Sequence, residues 1–309
     1  MSATPGSFAS AVLTATALLV AAGCAGLPDR PTPLRHADIN GARLAYVEQG
    51  EGAPIVLVHG AMSDHRTWER QRAHLARHYR VIAYSQRYFG TEPWGAGWPK
   101  IGVQTHTDDL AAFIRGLGVG PVHLIGWSSG ANIAINTALA RPDLVRSTFA
   151  YEPSLASVVT DSADRKVIAD DRAAAFGPAV EAVRAGDNAT GVRRLLDAVD
   201  DRTGALAGWP PAVQAVALDN ARTLRLEFLD ADPPPPITCA QLGQMKPVVA
   251  IARGERTRSS YRLLADAAAK CVGGHQHIVV PGARHLWPGD DPQAFSEAVL
   301  RFLRQPGRR

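Results

Sequence analysis

Residues 122–140 read Val-His-Leu-Ile, then Gly126-Trp127-Ser128-Ser129-Gly130, then Ala-Asn-Ile-Ala-Ile-Asn-Thr-Ala-Leu-Ala. The first four residues suit a buried strand. Residues 131–140 suit a helix, which Arg141-Pro142 ends because the residue before a proline is biased away from helical geometry. The five residues between fit G-x-S-x-G. Set between a strand and a helix, this pattern makes a sharp turn. Its glycines allow close backbone approach, and its serine points outward, free to attack. Alone the pentapeptide is a weak signal, since Gly and Ser are common. The flanking strand and helix make it specific, and Ser128 becomes the candidate nucleophile.

Outward from this turn the chain alternates strands and helices. Residues 36–50 read as a hairpin with Asn40-Gly41 at its turn. Residues 54–58 (Pro-Ile-Val-Leu-Val) are a continuous apolar run, suited to a buried parallel strand. A helix is expected over 67–76 and a strand over 80–83. A helix over 105–117 carries Asp108 and Asp109 near its start, where carboxylates suit the helix dipole. Strands follow at 147–151, 247–252 and 277–280, with helices at 259–270 and 292–303. The alternation predicts an α/β fold: a mostly parallel sheet flanked by helices, built from residues 36–154 and 246–309. Residues 155–245 break the rhythm. They hold helical patterns at 187–199 and 212–225, and then Pro233-Pro234-Pro235-Pro236, a stiff connector. This block reads as a helical cap inserted into the core.

A serine nucleophile needs a base. His285, in Gly282-Ala283-Arg284-His285-Leu286, follows the last strand and precedes the last helix. That loop falls at the carboxyl edge of the sheet, where ligands bind in open α/β folds. There it would take the Ser128 proton and return it to the leaving group, a ~10²–10⁴-fold effect. The loop His59-Gly60-Ala61-Met62 follows the earlier apolar strand. Backbone N–H groups of Ala61 and Ser129 are the expected oxyanion hole, each donor worth ~2.7–4 kcal/mol in the transition state. His59 itself is expected to be structural, as are His106 and His123. His275 and His277 read as surface or strand-edge residues. No metal-ligand spacing appears, so neither a metal nor another cofactor is expected.

The order strand, His-Gly loop, strand, G-x-S-x-G, strand, cap, strand, histidine resembles the α/β-hydrolase family over residues 36–305. The resemblance implies the α/β-hydrolase fold, a Ser–acid–His triad and a substrate pocket beneath the cap. It implies a cofactor-free serine hydrolase acting on a small-molecule ester or lactone. The acid departs from the common pattern. Many members carry Asp three residues after a Gly at the end of the strand beyond the cap; here Arg253-Gly254-Glu255-Arg256-Thr257 puts Thr257 there. Glu152, in Phe149-Ala-Tyr-Glu-Pro153, lies at the end of the strand after the nucleophile helix. The Trp-Ser-Ser-Gly-Ala elbow followed by Tyr-Glu before a Pro is similar to zearalenone-type lactonases. Glu152 is the favoured acid and Glu255 the alternative, with Asp290 and Asp291 as outsiders. Met62, Trp127, Tyr151 and Trp287 are candidates for the pocket wall or for core packing, and Arg87 for an ion pair bracing its loop. A serine nucleophile argues against the haloalkane dehalogenase and epoxide hydrolase branches, which use Asp. Two further readings stay open. One is C–C bond hydrolysis or perhydrolysis on the same triad. The other is a non-catalytic binding protein of the same fold, for which Thr257 would mark decay.

Composition bounds these readings. The chain has 309 residues, 46% hydrophobic and 20% charged, which excludes wholesale disorder. No apolar run reaches ~18 residues without a polar break, which excludes a polytopic membrane protein. The formal charge of +4 is dispersed, which argues against a nucleic-acid partner. Residues 11–22 form an apolar stretch of signal-peptide length, followed by Gly23-Cys24 and a Pro-rich segment. Residues 1–23 are therefore read as a signal peptide, resembling that of a bacterial lipoprotein, with Cys24 the lipidated residue and 24–35 a linker. Ala21 replaces the usual Leu, and residues 1–10 lack Lys and Arg. The expected location is periplasmic or membrane-anchored through lipid, the alternative being cytoplasmic. Export would allow Cys239 and Cys271 to pair, closing a loop worth ~3 kcal/mol. The oligomeric state is not readable.

Overall fold

The computed structural model describes residues 1–2, 32–272 and 276–305. Thr32–Arg309 forms one compact unit. The other, Met1–Pro31, holds the expected signal segment and Cys24, which lie outside the described residues, as does His275.

Eight strands build one sheet: β1 (Arg35–Ile39), β2 (Ala42–Gln49), β3 (Pro54–Val58), β4 (Arg80–Tyr84), β5 (Val122–Trp127), β6 (Val145–Tyr151), β7 (Val248–Gly254) and β8 (Gln276–Val280). Their spatial order is β1-β2-β4-β3-β5-β6-β7-β8. β2 runs antiparallel to β1 and β4, and every other pair is parallel. The β1–β2 turn carries Asn40 and Gly41 at φ 49° and 76°, the left-handed pair a tight hairpin demands.

Alternation along the strands divides the core in two. Ile55 and Leu57 of β3 face one side, with Leu75 of α1 (Glu69–Leu75) and, near the end of the chain, Phe295 and Phe302 of the last helix. Val56 and Val58 face the other, with Phe113 of α2 (Val103–Leu117) and Ile133 of α3 (Ser129–Ala140). Both faces of the central strands are covered, which is why those strands read as unbroken apolar runs.

The insertion between β6 and β7 is helical, but its helices differ from the sequence expectation. α4 (Ser162–Arg184) was not foreseen. Its Ala-rich composition favours helix, yet few of its residues are buried and Gly177-Pro178 reads as a stop. The helix runs through that pair. Asp161 caps its start by accepting from Ala163 and Asp164 N–H. α5 (Asn188–Asp200) matches the expected pattern closely. The helix expected over 212–225 is instead α6 (Pro211–Asp219), a 3-10 turn (Asn220–Thr223) and a π-helical turn (Leu226–Asp230). Asn220 sits at the break. It is fully buried, donates to Asp64 Oδ2 (2.8 Å) and accepts from Gly90 N–H (2.6 Å). These bonds tie the insertion to the core.

After the proline run come α7 (Cys239–Gly243), α8 (Ser259–Cys271), α9 (Trp287–Asp290) and α10 (Pro292–Leu303). A disulfide joins Cys239 to Cys271, so the start of α7 is fastened to the end of α8. Among the described residues no helix is long and apolar enough to cross a membrane.

Candidate active site

The site begins with the turn between β5 and α3. Ser128 holds φ 57° and ψ −124°, a strained conformation for a residue with a side chain. The glycines around it make room. A Cβ on Gly126 would stand 2.5 Å from the Gly130 carbonyl, and one on Gly130 would overlap the Val58 carbonyl. β3, β5 and α3 therefore meet at distances only glycine allows.

Two strand ends and the loop after β8 deliver three side chains to one line. Ser128 Oγ lies 3.1 Å from His285 Nε2. His285 Nδ1 lies 2.5 Å from Glu152 Oε2. In the tautomer that satisfies both contacts, Nδ1–H donates to the carboxylate and Nε2 accepts from the hydroxyl. Glu152 directly follows β6 and is fully buried at φ 50°. Its Oε1 accepts Gly254 N–H (2.8 Å) and its Oε2 accepts Thr257 Oγ–H (2.9 Å). Thr257, standing where the commoner Asp was sought, is thus a hydrogen-bond donor to the carboxylate on the neighbouring strand.

Other groups hold the imidazole. Tyr261 stacks on its face, with centroids 4.0 Å apart and planes 12° from parallel. Trp127 Nε1 donates to the His285 carbonyl (3.0 Å). Asp200, at the end of α5, accepts Leu286 N–H (3.0 Å) and pairs with Arg202. Burial pushes its carboxyl up, against the pull of that amide and of the Arg202 charge.

The loop after β3 supplies the facing wall. Ala61 and Ser129 both line the cavity beside Ser128. Among the described residues neither backbone N–H has a hydrogen-bond partner, as an oxyanion hole requires. His59 is the post behind this loop. Its Nδ1 donates to the Gly60 carbonyl (2.8 Å), and its Nε2 accepts Gln86 N–H (3.0 Å). Burial lowers its pKa to about 4, so it stays neutral.

The cavity over Ser128 measures about 650 Å³. Met62 and Trp127 line it, while Phe176, Leu196, Val199 and Trp209 close it from the insertion. The expectation that Tyr151 and Trp287 line the pocket is corrected. The Tyr151 hydroxyl donates to the Arg284 carbonyl (2.6 Å), and Trp287 packs on Tyr151 and Phe295. A buried phenol needs an acceptor, and this one lies behind the site. Glu255 does not reach His285; it accepts Gly282 N–H (2.8 Å). Asp290 receives Trp209 Nε1–H, and Asp291 caps α10. Arg87 is fully buried in a two-pronged pair with Asp109 (2.8 and 2.7 Å).

Sequence reasoning missed three polar residues around the site. Asp200 had no motif to flag it. Arg172 lines the wall from the unforeseen α4. Glu227 lines it from the π-helical turn, where it accepts from Thr223 Oγ (2.5 Å) and the Met62 N–H. Burial raises Glu227 to about 7, more than those two donors lower it. Among the described residues no His, Cys, Asp and Glu cluster could hold a metal ion.

Comparison with known proteins agrees with this architecture. A hydrolase of 2-(acetamidomethylene)succinate from Mesorhizobium japonicum is 29% identical over 284 residues, covering 87% of this chain and 94% of that protein. The enol-lactonase of Burkholderia xenovorans superposes with a TM-score of 0.66 at 19% identity, covering 88% of this chain and all of that one. The carboxylesterase CesB of Bacillus subtilis superposes with a TM-score of 0.69 at 17% identity, covering 89% and 93%. The model of the alpha/beta hydrolase family matches residues 55–298, so this chain belongs to that family.

Proposed function

We propose that this protein is a cofactor-free serine hydrolase of carboxylic esters or lactones, working through Ser128, His285 and Glu152. The observation that carries the proposal is the unbroken line from Ser128 Oγ to His285 (3.1 Å) to Glu152 (2.5 Å) at one end of an apolar cavity. As the Ser128 oxygen attacks the carbonyl carbon, its proton passes to His285 Nε2. The carbonyl oxygen gains negative charge facing the Ala61 and Ser129 N–H groups. Glu152 holds the imidazole by Nδ1 and stabilises the imidazolium; it does not take the proton. His285 then protonates the leaving alkoxide, or the ring oxygen of a lactone. Water, deprotonated by the same nitrogen, splits the acyl-enzyme. The family relatives support a hydrolase with a small-molecule substrate, and the enol-lactonase and carboxylesterase names support the ester-or-lactone class.

The test is labelling with a fluorophosphonate probe followed by peptide mapping, with a parallel ester and lactone screen. A single adduct on Ser128 and turnover are expected. A folded protein without an adduct overturns the reading and favours a binding role. We also propose that the enzyme works outside the cytoplasm. The Cys239–Cys271 disulfide supports this, because such bonds persist in oxidising compartments. Lipid on Cys24 belongs to the same proposal and is read by the intact mass of membrane-extracted protein.

A further inference from the structure

Arg172 differs from every other charged side chain in the cavity wall. It projects from α4, and its Nη2 donates to Ser154 Oγ (3.0 Å). Ser154 N–H in turn donates to Asn132 Oδ1 (2.7 Å), on the first turn of α3. The preceding residue, Asp171, takes two guanidinium nitrogens of Arg258 (2.9 Å each) and Ser260 N–H (3.2 Å). This clamps α4 to the start of α8, one residue before the Tyr261 that stacks on His285. The Arg172 head is therefore fixed relative to the imidazole.

Yet the guanidinium has no carboxylate partner among the described residues, and its Nε is buried without a hydrogen-bond acceptor. Its neighbours in the wall are already engaged. Arg184 pairs with Glu181 (2.8 Å), and Glu227 is held by Thr223 and the Met62 N–H. Most of the remaining wall is apolar. Arg172 is half-buried, so its head stands in the cavity wall with capacity left for an anion.

We propose that Arg172 anchors a carboxylate carried by the substrate, so that the bond cleaved at Ser128 is an ester or lactone of an organic acid with a second, free carboxylate. This rests on the serine-hydrolase reading above. The planar fork of arginine suits a carboxylate held by two parallel hydrogen bonds. A single unpaired cation in a wall that also holds Glu181 and Glu227 disfavours a dianionic phosphate.

The test uses aryl half-esters of linear C4 to C8 dicarboxylic acids, each against the aryl ester of the monocarboxylic acid of equal length. The wild-type enzyme is expected to favour the half-ester at least tenfold in kcat/KM at one chain length, mainly through KM. R172Q is expected to lower that ratio 10- to 100-fold, and R172K to restore part of it. A wild-type preference for the neutral ester at every length overturns the proposal, as does an R172Q variant that leaves the ratio unmoved. If Ser128 takes no fluorophosphonate, the hydrolase reading fails by itself. Calorimetric titration of the free dicarboxylates then decides the anchor: binding weakened by R172Q supports it, and equal binding by both proteins overturns it.

Discussion

Ser128 and Glu152 leave the ends of sheet strands and His285 the loop after the last strand, whereas Arg172, Phe176 and Glu227 hang from helices of the insertion. The two halves of the site are held by different physics. Glu152 N–H is bonded to the Ala252 carbonyl and Ser128 N–H to the Tyr151 carbonyl, so the sheet ladder itself spaces Ser128 and Glu152, while side chains hold His285 in its loop. The insertion has no such ladder. It is held by apolar contacts and a few buried polar ties, among them Asn220 to Asp64 and Asp200 to Leu286 N–H. In the proposed function, the nucleophile and acid thus rest where backbone hydrogen bonds set distances, and the proposed substrate contacts rest where side chains set them.

The largest expected effect tests that division directly. Ser128→Ala should cut kcat by about 10⁴–10⁶-fold, and Glu152→Gln by about 10⁴-fold, with little change in melting temperature. Loss of folding together with activity would blur the division.

Next comes acid. His59, His106 and His123 all belong to the core, and burial holds them at about 4, 3 and 4. The unfolded chain protonates them near 6.5, so between pH 6.5 and 4 it binds the extra protons. Stability is therefore lost as pH falls through that window, by up to about 3 kcal/mol per histidine. Glu227, in the insertion, has the opposite sign. Its folded value of about 7 lies above the unfolded 4.5, so the folded state holds the extra proton between them. Stability is lost as pH rises from about 4.5 to 7. Glu227→Gln should stabilise the protein at pH 8 by up to about 3 kcal/mol and do little below pH 4.5. Thermal melts at pH 4, 6 and 8 read both slopes. A melting temperature that does not fall between pH 6 and 4 would contradict the core assignment.

Asn220→Ala removes a donor from buried Asp64. Burial alone would raise that carboxyl, but Arg66 and Asn220 hold it below its usual value. The expected loss is about 2 kcal/mol in urea unfolding. The smallest effect belongs to Glu255→Gln, within about twofold in kcat and 0.5 kcal/mol in stability, since Glu255 only accepts Gly282 N–H at the surface. A large drop in turnover would reopen the choice of acid.

The same two halves differ in how much of them could be read in advance. The core strands announce themselves because both faces are buried, and Gly126-Trp127-Ser128-Ser129-Gly130 because only such residues make the turn. The line Ser128–His285–Glu152 could be assembled because Ser128 and Glu152 sit directly after readable strands and His285 lies in the loop after the last one. Thr257 as a donor to Glu152 was not legible, since a hydroxyl at that place reads only as an absent Asp. Tyr151 could not be placed between pocket wall and core, because adjacency to Glu152 in sequence says nothing about which way a neighbouring side chain turns. The insertion was harder. α4 buries only Ile168, Ala179, Ala182 and Val183, so it leaves no continuous stripe for periodicity to detect. Residues 212–230 change helical type where Asn220 reaches into the core, a tertiary effect invisible to local pattern.

The ties between insertion and sheet also limit how such a molecule diversifies. Asp200 receives the amide next to His285, and Asn220 satisfies a carboxylate buried under the insertion. A foreign insertion transplanted onto this sheet would leave the Leu286 amide without its acceptor and Asp64 without one of its donors, Arg66 alone remaining on it. The segment is not an interchangeable cassette. New specificities on this scaffold would arise by exchanging wall residues one at a time, while Asp200 and Asn220 stay behind as the fixed seams of the graft.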